Sequence, residues 1–320
     1  PIPSSYQKEL GKNAYADNRG TQWLEWVVRA KSSSGAEGIT IANRFMRQGT
    51  VAKLLEFLKG ALLDREIDAL LEIQNGVVTG PAPGMERWYR RNGWLSILAF
   101  DLAGKTRGVS AIDLLGGKKH DSVPAYDTTL YFQDFLVPER GALQVADEAA
   151  VAVADGWKEL KIKTGRGGRW MMPEAGMRRD IDVVLGVREA VGPDVKIYVD
   201  ANFGYDNHLD LLDQFIGEVT PANIFWFEEM VTHDVDGYRA IREMQAKYGS
   251  KALLTCGEVD RNPISEVFQD MIDDGLIDGY QPDVVSHGFL GWMENDFEEA
   301  ILRRLFASGA LNLDLLQNEG

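Results

Sequence analysis

Hydrophobic and polar positions alternate through Trp23–Lys31, the period of two that sends successive strand side chains to opposite faces. The Ser32–Gly35 cluster then turns the chain. Across Thr50–Leu71 the pattern changes: Val51, Leu54, Leu55, Leu58, Leu62 and Leu63 recur at the spacing of one helix face. A second apolar helix is predicted over Trp94–Leu102. Ala111–Leu115, with Gly116 and Gly117 behind it, reads as a short helix with a glycine stop. A strand followed by helices makes residues 1–117 an α+β unit.

From Val123 a regular alternation begins. β-like segments at Val123–Tyr126, Glu159–Lys163, Lys196–Asp200, Ile224–Glu228, Ala252–Cys256 and Tyr280–Val285 are separated by helical stretches. Leu209, Leu212, Phe215, Ile216 and Val219 form one apolar stripe; Ile264, Val267, Phe268, Met271 and Ile272 form another. Strand, helix, strand at this pitch predicts parallel strands joined by right-handed crossovers. A doubly wound sheet and a (β/α) barrel both satisfy the pattern. No glycine fingerprint of the dinucleotide-binding type follows the first strand, so the barrel is preferred. The fold class is α/β: a TIM-type (β/α) barrel over residues 118–320, with a separate N-terminal α+β capping domain over 1–117. A helix through Phe297, Ile301 and Leu305 and a strand over Ala310–Leu316 are expected at the end. A closed barrel has eight strands. The segments found therefore predict a modified barrel, incomplete toward its C-terminal end, with residues missing there or near Arg304–Ala310.

With 34 Lys and Arg against 49 Asp and Glu, the 320-residue chain has a formal charge of −15. Such a chain repels a phosphate backbone, so a nucleic-acid role lacks its main source of affinity. One cysteine, Cys256, excludes an internal disulfide framework and a multi-thiolate zinc site. The histidines are His120, His208, His233 and His287, too few for a histidine-rich centre, so any metal must be held mainly by oxygen. No apolar run approaches the roughly 18 residues of a membrane helix, and the opening PIPSSYQKEL lacks a signal-peptide core. A cytoplasmic homo-oligomer is expected, with neither membrane nor nucleic acid as partner.

The chemistry lies in where the ionisable residues fall. After the first, each β-like segment carries one at or near its end: Lys161 and Lys163, then Asp200, Glu228, Glu258 and Asp283. The C-terminal ends of parallel barrel strands face one mouth, so these groups are expected to converge. Three carboxylates in one dry pocket cannot all stay ionised without a cation. Oxygen ligands without Cys or His suit a hard divalent ion, best Mg²⁺, with positions left for water and substrate. Lys161 and Lys163 are one residue apart and so point to the same strand face, into the barrel. Each is expected to lower the other's pKa, helped by burial, making one of them a base near neutral pH.

With these residues in view, the chain resembles the enolase superfamily, in the branch of mandelate racemase and the muconate-lactonizing enzymes. The resemblance rests on Val123–Thr128, Leu160–Lys163, Val199–Asn202, Trp226–Glu229, Gly257 with Glu258, and Gln281–Asp283 with Gly291 and Trp292, in the family's order. Leu98–Gly104 followed by Leu114–Gly117 resembles the helical entry to the barrel. The resemblance implies that Asp200, Glu228 and Glu258 ligate Mg²⁺. The metal would bind a small-molecule carboxylate substrate and stabilise the enolate left when the α-proton departs. It further implies Lys163 as general base, with Lys161 tuning its charge and touching the substrate carboxylate. Asn202 would add a hydrogen bond, Glu229 would support the ligands, and Thr128 and Tyr126 would contact substrate.

Asp283 stands where the mandelate racemase type has an acid paired with a histidine on the next strand. No histidine follows His287, which lies four residues past Asp283. Either the histidine's strand is absent, or His287 is the partner in an unusual way, or there is no dyad; absence is preferred. The loop Thr164–Trp170 follows the lysine strand. Its glycines allow close backbone approach, and Arg166 and Arg169 are expected to clamp an anionic or polyhydroxylated substrate. An RGG-type nucleic-acid segment is opposed by the net charge. Asn13–Asn18 and Arg44–Arg47 are thinner candidates for specificity. The expected function is a metal-dependent carbon–oxygen lyase that dehydrates a sugar acid to a 2-keto-3-deoxy acid. The alternatives are racemisation or epimerisation by the same enolate, and a non-catalytic metal-binding relative with a regulatory role. A Schiff-base aldolase is opposed by the three acids.

Overall fold

The structure, a computed structural model, describes Ala14 and residues 26–42, 49–90, 92–260 and 264–294. The first unit opens with an antiparallel pair, β1 (Val27–Lys31) and β2 (Glu37–Ile41), as the alternation and the serine turn predict. Helix α1 (Val51–Leu62) is started by Thr50, whose hydroxyl accepts from Lys53 N. It stops nine residues short of the expected Leu71: Leu63 is already extended, at ψ 135°, and Asp64 then takes the left-handed region at φ +58°. A second hairpin, β3 (Leu71–Gln74) and β4 (Val77–Pro81), turns on Asn75 and Gly76, both at positive φ. That Asn-Gly pair is a strong hairpin signal, missed because the helical pattern was carried up to it. After the single turn α2 (Glu86–Tyr89) comes α3 (Gly93–Arg107), whose Trp94, Leu95, Leu98, Ala99 and Phe100 are fully buried. The short α4 (Ala111–Leu114) follows, opened by a Ser110–Asp113 capping box.

The remainder alternates strand and helix: β5 (Asp127–Leu130), α5 (Ala142–Ala154), β6 (Glu159–Lys163), α6 (Pro173–Val191), β7 (Lys196–Asp200) and α7 (Leu209–Val219). It continues through β8 (Trp226–Glu228), α8 (Val235–Tyr248), β9 (Leu253–Cys256), α9 (Glu266–Asp273), β10 (Gly279–Tyr280) and α10 (Val284–Glu294). The six strands are parallel and pair in chain order, β5 at one edge and β10 at the other. This is the sheet of a (β/α) barrel; among the described residues it does not close. Two boundaries move. The first strand begins at Asp127, with Val123 exposed, and the expected strand Tyr280–Val285 gives way at Val284 to α10. The helix and strand expected at Phe297–Leu305 and Ala310–Leu316 lie outside the described residues, as do Asn13, Tyr15–Asn18 and Arg44–Arg47.

Apolar side chains gather in two cores. One lies between the parallel sheet and its helices, where Leu160, Ile162, Ile197, Val199, Phe227 and Leu254 meet Val183, Val184, Leu212, Phe215 and Ile241. The other joins β1–β4, α1 and α3, and it also takes in Leu290, with Val285, Phe289 and Met293 packed against it. Each fully buried Leu, Ile or Phe contributes about 1.5–3 kcal/mol. Helix α10 therefore belongs by sequence to the second unit and by packing to the first. It bends at Gly288, φ +68°, and crosses α3 in backbone contact: a Cβ on Gly288 would sit 2.0 Å from the Gly93 carbonyl oxygen.

Candidate active site

Strand register assembles the site. Leu160 and Ile162 of β6, Ile197 and Val199 of β7, and Phe227 of β8 point into the core beneath the helices. Their neighbours Lys161, Lys163, Tyr198, Asp200, Trp226 and Glu228 therefore project from the opposite face. The pairing places Lys163 beside Asp200, Asp200 beside Glu228, and Glu228 beside Thr255. Four strand ends thus meet at one level.

Lys161 Nζ donates to Glu228 Oε1 at 3.0 Å and Oε2 at 3.1 Å, and lies 3.4 Å from Asp200 Oδ2. Lys163 Nζ donates to Asp200 Oδ2 and, at 2.9 Å, to Asn202 Oδ1. Asp200 Oδ1 accepts from Asn202 N at 3.0 Å, and Trp226 Nε1 donates to Glu228 Oε2 at 3.2 Å. All five polar members, Lys161, Lys163, Asp200, Asn202 and Glu228, are buried. Charge here is strongly coupled. Burial opposes ionisation of Asp200, but Lys163 and Lys161 outweigh it and hold its pKa below the ordinary value. Glu228 is pushed up to about 7 by burial and by Asp200, which together exceed the pull of Lys161.

The two lysines correct a sequence expectation. Burial and mutual repulsion do act downward on Lys163, yet Asp200 dominates and its pKa lies above the ordinary value. Lys161, between Asp200 and Glu228, is raised for the same reason, against the downward effect of burial. As placed, both are ammonium donors locked to carboxylates.

The expected three-carboxylate cage is likewise not assembled. Glu258 is exposed, beyond the end of β9. What desolvation it has, with the Glu229 and Asp200 charges, lifts its pKa against the pull of Lys163, which places it in the same field. Among the described residues, however, no three His, Cys, Asp or Glu side chains are placed to hold a metal ion. The lysines fill the space between Asp200 and Glu228 instead.

Three further candidates turn out to be structural. Asp283 is exposed at the start of α10, where its carboxylate accepts from Val285 N and Ser286 Oγ, both at 2.9 Å. It caps a helix, and no imidazole is bonded to it. His287 is buried, its Nε2 3.1 Å from the Asp260 carbonyl oxygen and its backbone pressed against Gly93, so it packs where α10 meets α3. Arg166 is fully buried, with Nη2 on Asp134 Oδ1 and Nη1 on Asp180 Oδ1, each at 2.7 Å. Its charge is spent inside the scaffold. Arg169 remains exposed, its guanidinium 4.4 Å from the Trp170 ring centroid. Thr128 is exposed on β5, and Tyr126 packs edge-on against Tyr198 and Trp226 with Lys161 Nζ 5.3 Å from its ring. One residue the pattern did not flag is Tyr131, whose ring lies 5.5 Å from Lys163 Nζ. It follows β5, whose late start shifts the strand end from Tyr126 toward Tyr131.

Comparison with known proteins agrees with this architecture. Residues 144–294 match the family described as enolase C-terminal domain-like. D-galactarolactone cycloisomerase of Agrobacterium fabrum is 33% identical over 180 residues, 52% of this chain and 43% of that protein. D-gluconate dehydratase of Thermoproteus tenax is 27% identical over 217 residues, 63% of this chain and 40% of that protein. The chain thus spans less than half the length of these curated relatives. A galacturonate dehydratase from Geobacillus sp., solved with D-galacturonate and 5-keto-4-deoxy-D-galacturonate, superposes with a TM-score of 0.72 at 28% identity, covering 94% of this chain and 73% of its own. A mandelate racemase/muconate lactonizing protein from Geobacillus sp., solved with magnesium and tartrate, gives 0.73 at 27% identity, covering 95% and 72%. Parallel strands in chain order, charged groups at their ends and the match over residues 144–294 together show that this part of the chain is enolase C-terminal domain-like, and the fold is similar to that of a mandelate racemase/muconate lactonizing protein.

Proposed function

We propose that the chain abstracts the proton α to a carboxylate of a sugar acid and completes a dehydration, giving a 2-keto-3-deoxy acid. The observation that carries this reading is the pair of buried lysines on one face of β6, held against Asp200 and Glu228 at the strand ends. Sugar-acid dehydratases among its relatives support the substrate class.

The chemistry of the donor set suits Mg²⁺, although among the described residues its placement does not assemble a cage. Asp200, Glu228 and Glu258 offer hard oxygen only, and the raised pKa of Glu228 marks buried negative charge that the lysines leave partly uncompensated. Those three carboxylates would hold the ion, which would supply Lewis-acid chemistry toward the substrate carboxylate. The remaining steps belong to the chain. Lys163 in its neutral form accepts the α-proton on Nζ, aimed by Asn202 Oδ1. Lys161 keeps its charge and contacts the substrate carboxylate. The electron pair left on the α-carbon expels the β-hydroxyl, which takes up the proton just received by Lys163 Nζ and departs as water; the enol then tautomerises to the keto acid. Arg169, Thr128 and Tyr126 would bear on the hydroxyl groups, with residues 1–117 capping the mouth of the 118–320 unit.

A panel of sugar acids assayed for 2-keto product with and without Mg²⁺ tests the reaction. Lys163→Ala should slow solvent-deuterium uptake at the α-carbon by on the order of 10²–10⁴-fold while Mg²⁺ still binds. Lys163→Arg should fail almost as badly, since arginine does not give up its proton. Undiminished exchange in Lys163→Ala would overturn the assignment. Deuterium in recovered acid without loss of water would select racemisation.

A further inference from the structure

Behind the lysine pair runs a line of buried polar atoms to which the proton chemistry assigns no part. Lys163 Nζ donates to Asn202 Oδ1 at 2.9 Å, and Asn202 Nδ2 donates to Glu229 Oε2 at 3.3 Å. The other oxygen of Glu229 lies 3.3 Å from His233 Nε2, and among the described residues neither of these two buried atoms makes a hydrogen bond, to the other or elsewhere. Leaving both unpaired would be costly, so each is the natural partner of the other. The backbone is committed to this line as well. Asn202 and Glu229 hold left-handed conformations, φ +43° and +46°, which are uncommon for non-glycine residues, glutamate above all. Phe203 N, donating to Glu229 O at 2.7 Å, ties the two strand ends together. The imidazole is held in place by the Phe203 ring edge-on at 5.0 Å and the Phe268 ring at 4.7 Å, leaving its side chain 9% exposed.

We propose that His233 is a positioning residue for Lys163: it fixes the rotamer of Glu229, which fixes Asn202, which aims the Lys163 nitrogen. The inference rests on the proton-abstraction reading. The competing role is packing alone, an imidazole filling space among aromatic rings.

Two substitutions separate the roles. His233→Leu keeps the packing and loses the Nε2 contact; His233→Gln restores a nitrogen at a similar reach. Two readouts are taken on the Mg²⁺-supplied protein: kcat and KM for the sugar acid that the wild type turns over, and, without substrate, the acylation rate of Lys163 against exposed lysines by mass spectrometry. Positioning predicts that His233→Leu lowers kcat by roughly 10–100-fold with KM little changed, alters the relative acylation of Lys163 several-fold, and that His233→Gln recovers most of both. Wild-type acylation and kcat in His233→Leu, or a glutamine variant no better than the leucine one, would overturn the proposal. If the leucine variant fails to fold, a double-mutant cycle of His233→Asn and Glu229→Gln, read on Lys163 acylation, decides: non-additive effects uphold the coupling and additive effects refute it. Failure of the proton-abstraction reading looks different, as wild-type protein with a responsive Lys163 that exchanges no α-proton on any acid.

Discussion

Replacing Arg166 by methionine should destabilise the protein by about 3–5 kcal/mol, the cost of breaking a buried ion pair. The guanidinium and both of its carboxylates are wholly buried. Its Nε and Nη2 bond Asp134, and Nη1 bonds Asp180 and, at 3.2 Å, the Lys163 carbonyl oxygen. Methionine fills much of the volume but strands two carboxylates. They are not left bare: Asp134 keeps Arg179 at 3.1 Å, and Asp180 keeps Gly165 N and the Tyr205 hydroxyl at 2.8 and 2.9 Å. The loss is therefore that of one broken pair and not of two. Against a typical total of about 5–15 kcal/mol it is still a large share. Arg166→Lys should recover little, because one ammonium cannot span both carboxylates as the planar fork does. Arg169→Ala is the control: the side chain is exposed, and a change within about 0.5 kcal/mol is expected. Urea unfolding followed by circular dichroism and tryptophan fluorescence supplies the numbers. An Arg166→Met protein within about 1 kcal/mol of wild type would refute the reasoning and return Arg166 to the list of substrate ligands.

Removing Asp283 should cost about 0.5–2 kcal/mol as a lost helix cap, measured by the same unfolding, while α-proton exchange survives; loss of exchange in a folded Asp283→Ala protein would reinstate it as a catalytic acid. On the proposed metal assignment, Mg²⁺ should bind the wild type and raise its melting temperature, and Glu258→Gln should weaken that binding in a calorimetric titration by roughly 10-fold or more, since one of three proposed charged ligands is lost. Equal affinity in Glu258→Gln would take Glu258 out of the metal site.

The sequence by itself determined the parallel α/β class and the convergence of Lys161, Lys163, Asp200 and Glu228. Strand periodicity dictates both: with Leu160, Ile162, Ile197, Val199 and Phe227 sent under the helices, the residues between them have one face left to occupy. Motif order carried the family for the same reason, because strand ends in chain order become neighbours in space. Only the tertiary structure decided what each charge is for. Arg166 and Arg169 are three residues apart in one glycine-rich loop and read alike; burial against Asp134 and Asp180 makes the first a scaffold cation and leaves the second exposed. Asp283 reads as an acid at a strand end whose partner histidine is missing, but the strand stops at Tyr280, so the aspartate caps α10 and His287 packs at the backbone contact of Gly93 with Gly288. The direction of the Lys163 pKa also lay beyond the sequence. Spacing reports the like charge two residues away, whereas the opposing charge that outweighs it, Asp200, arrives from the neighbouring strand. Which of two opposite electrostatic effects wins depends on distances across strands, and those exist only once the sheet has formed.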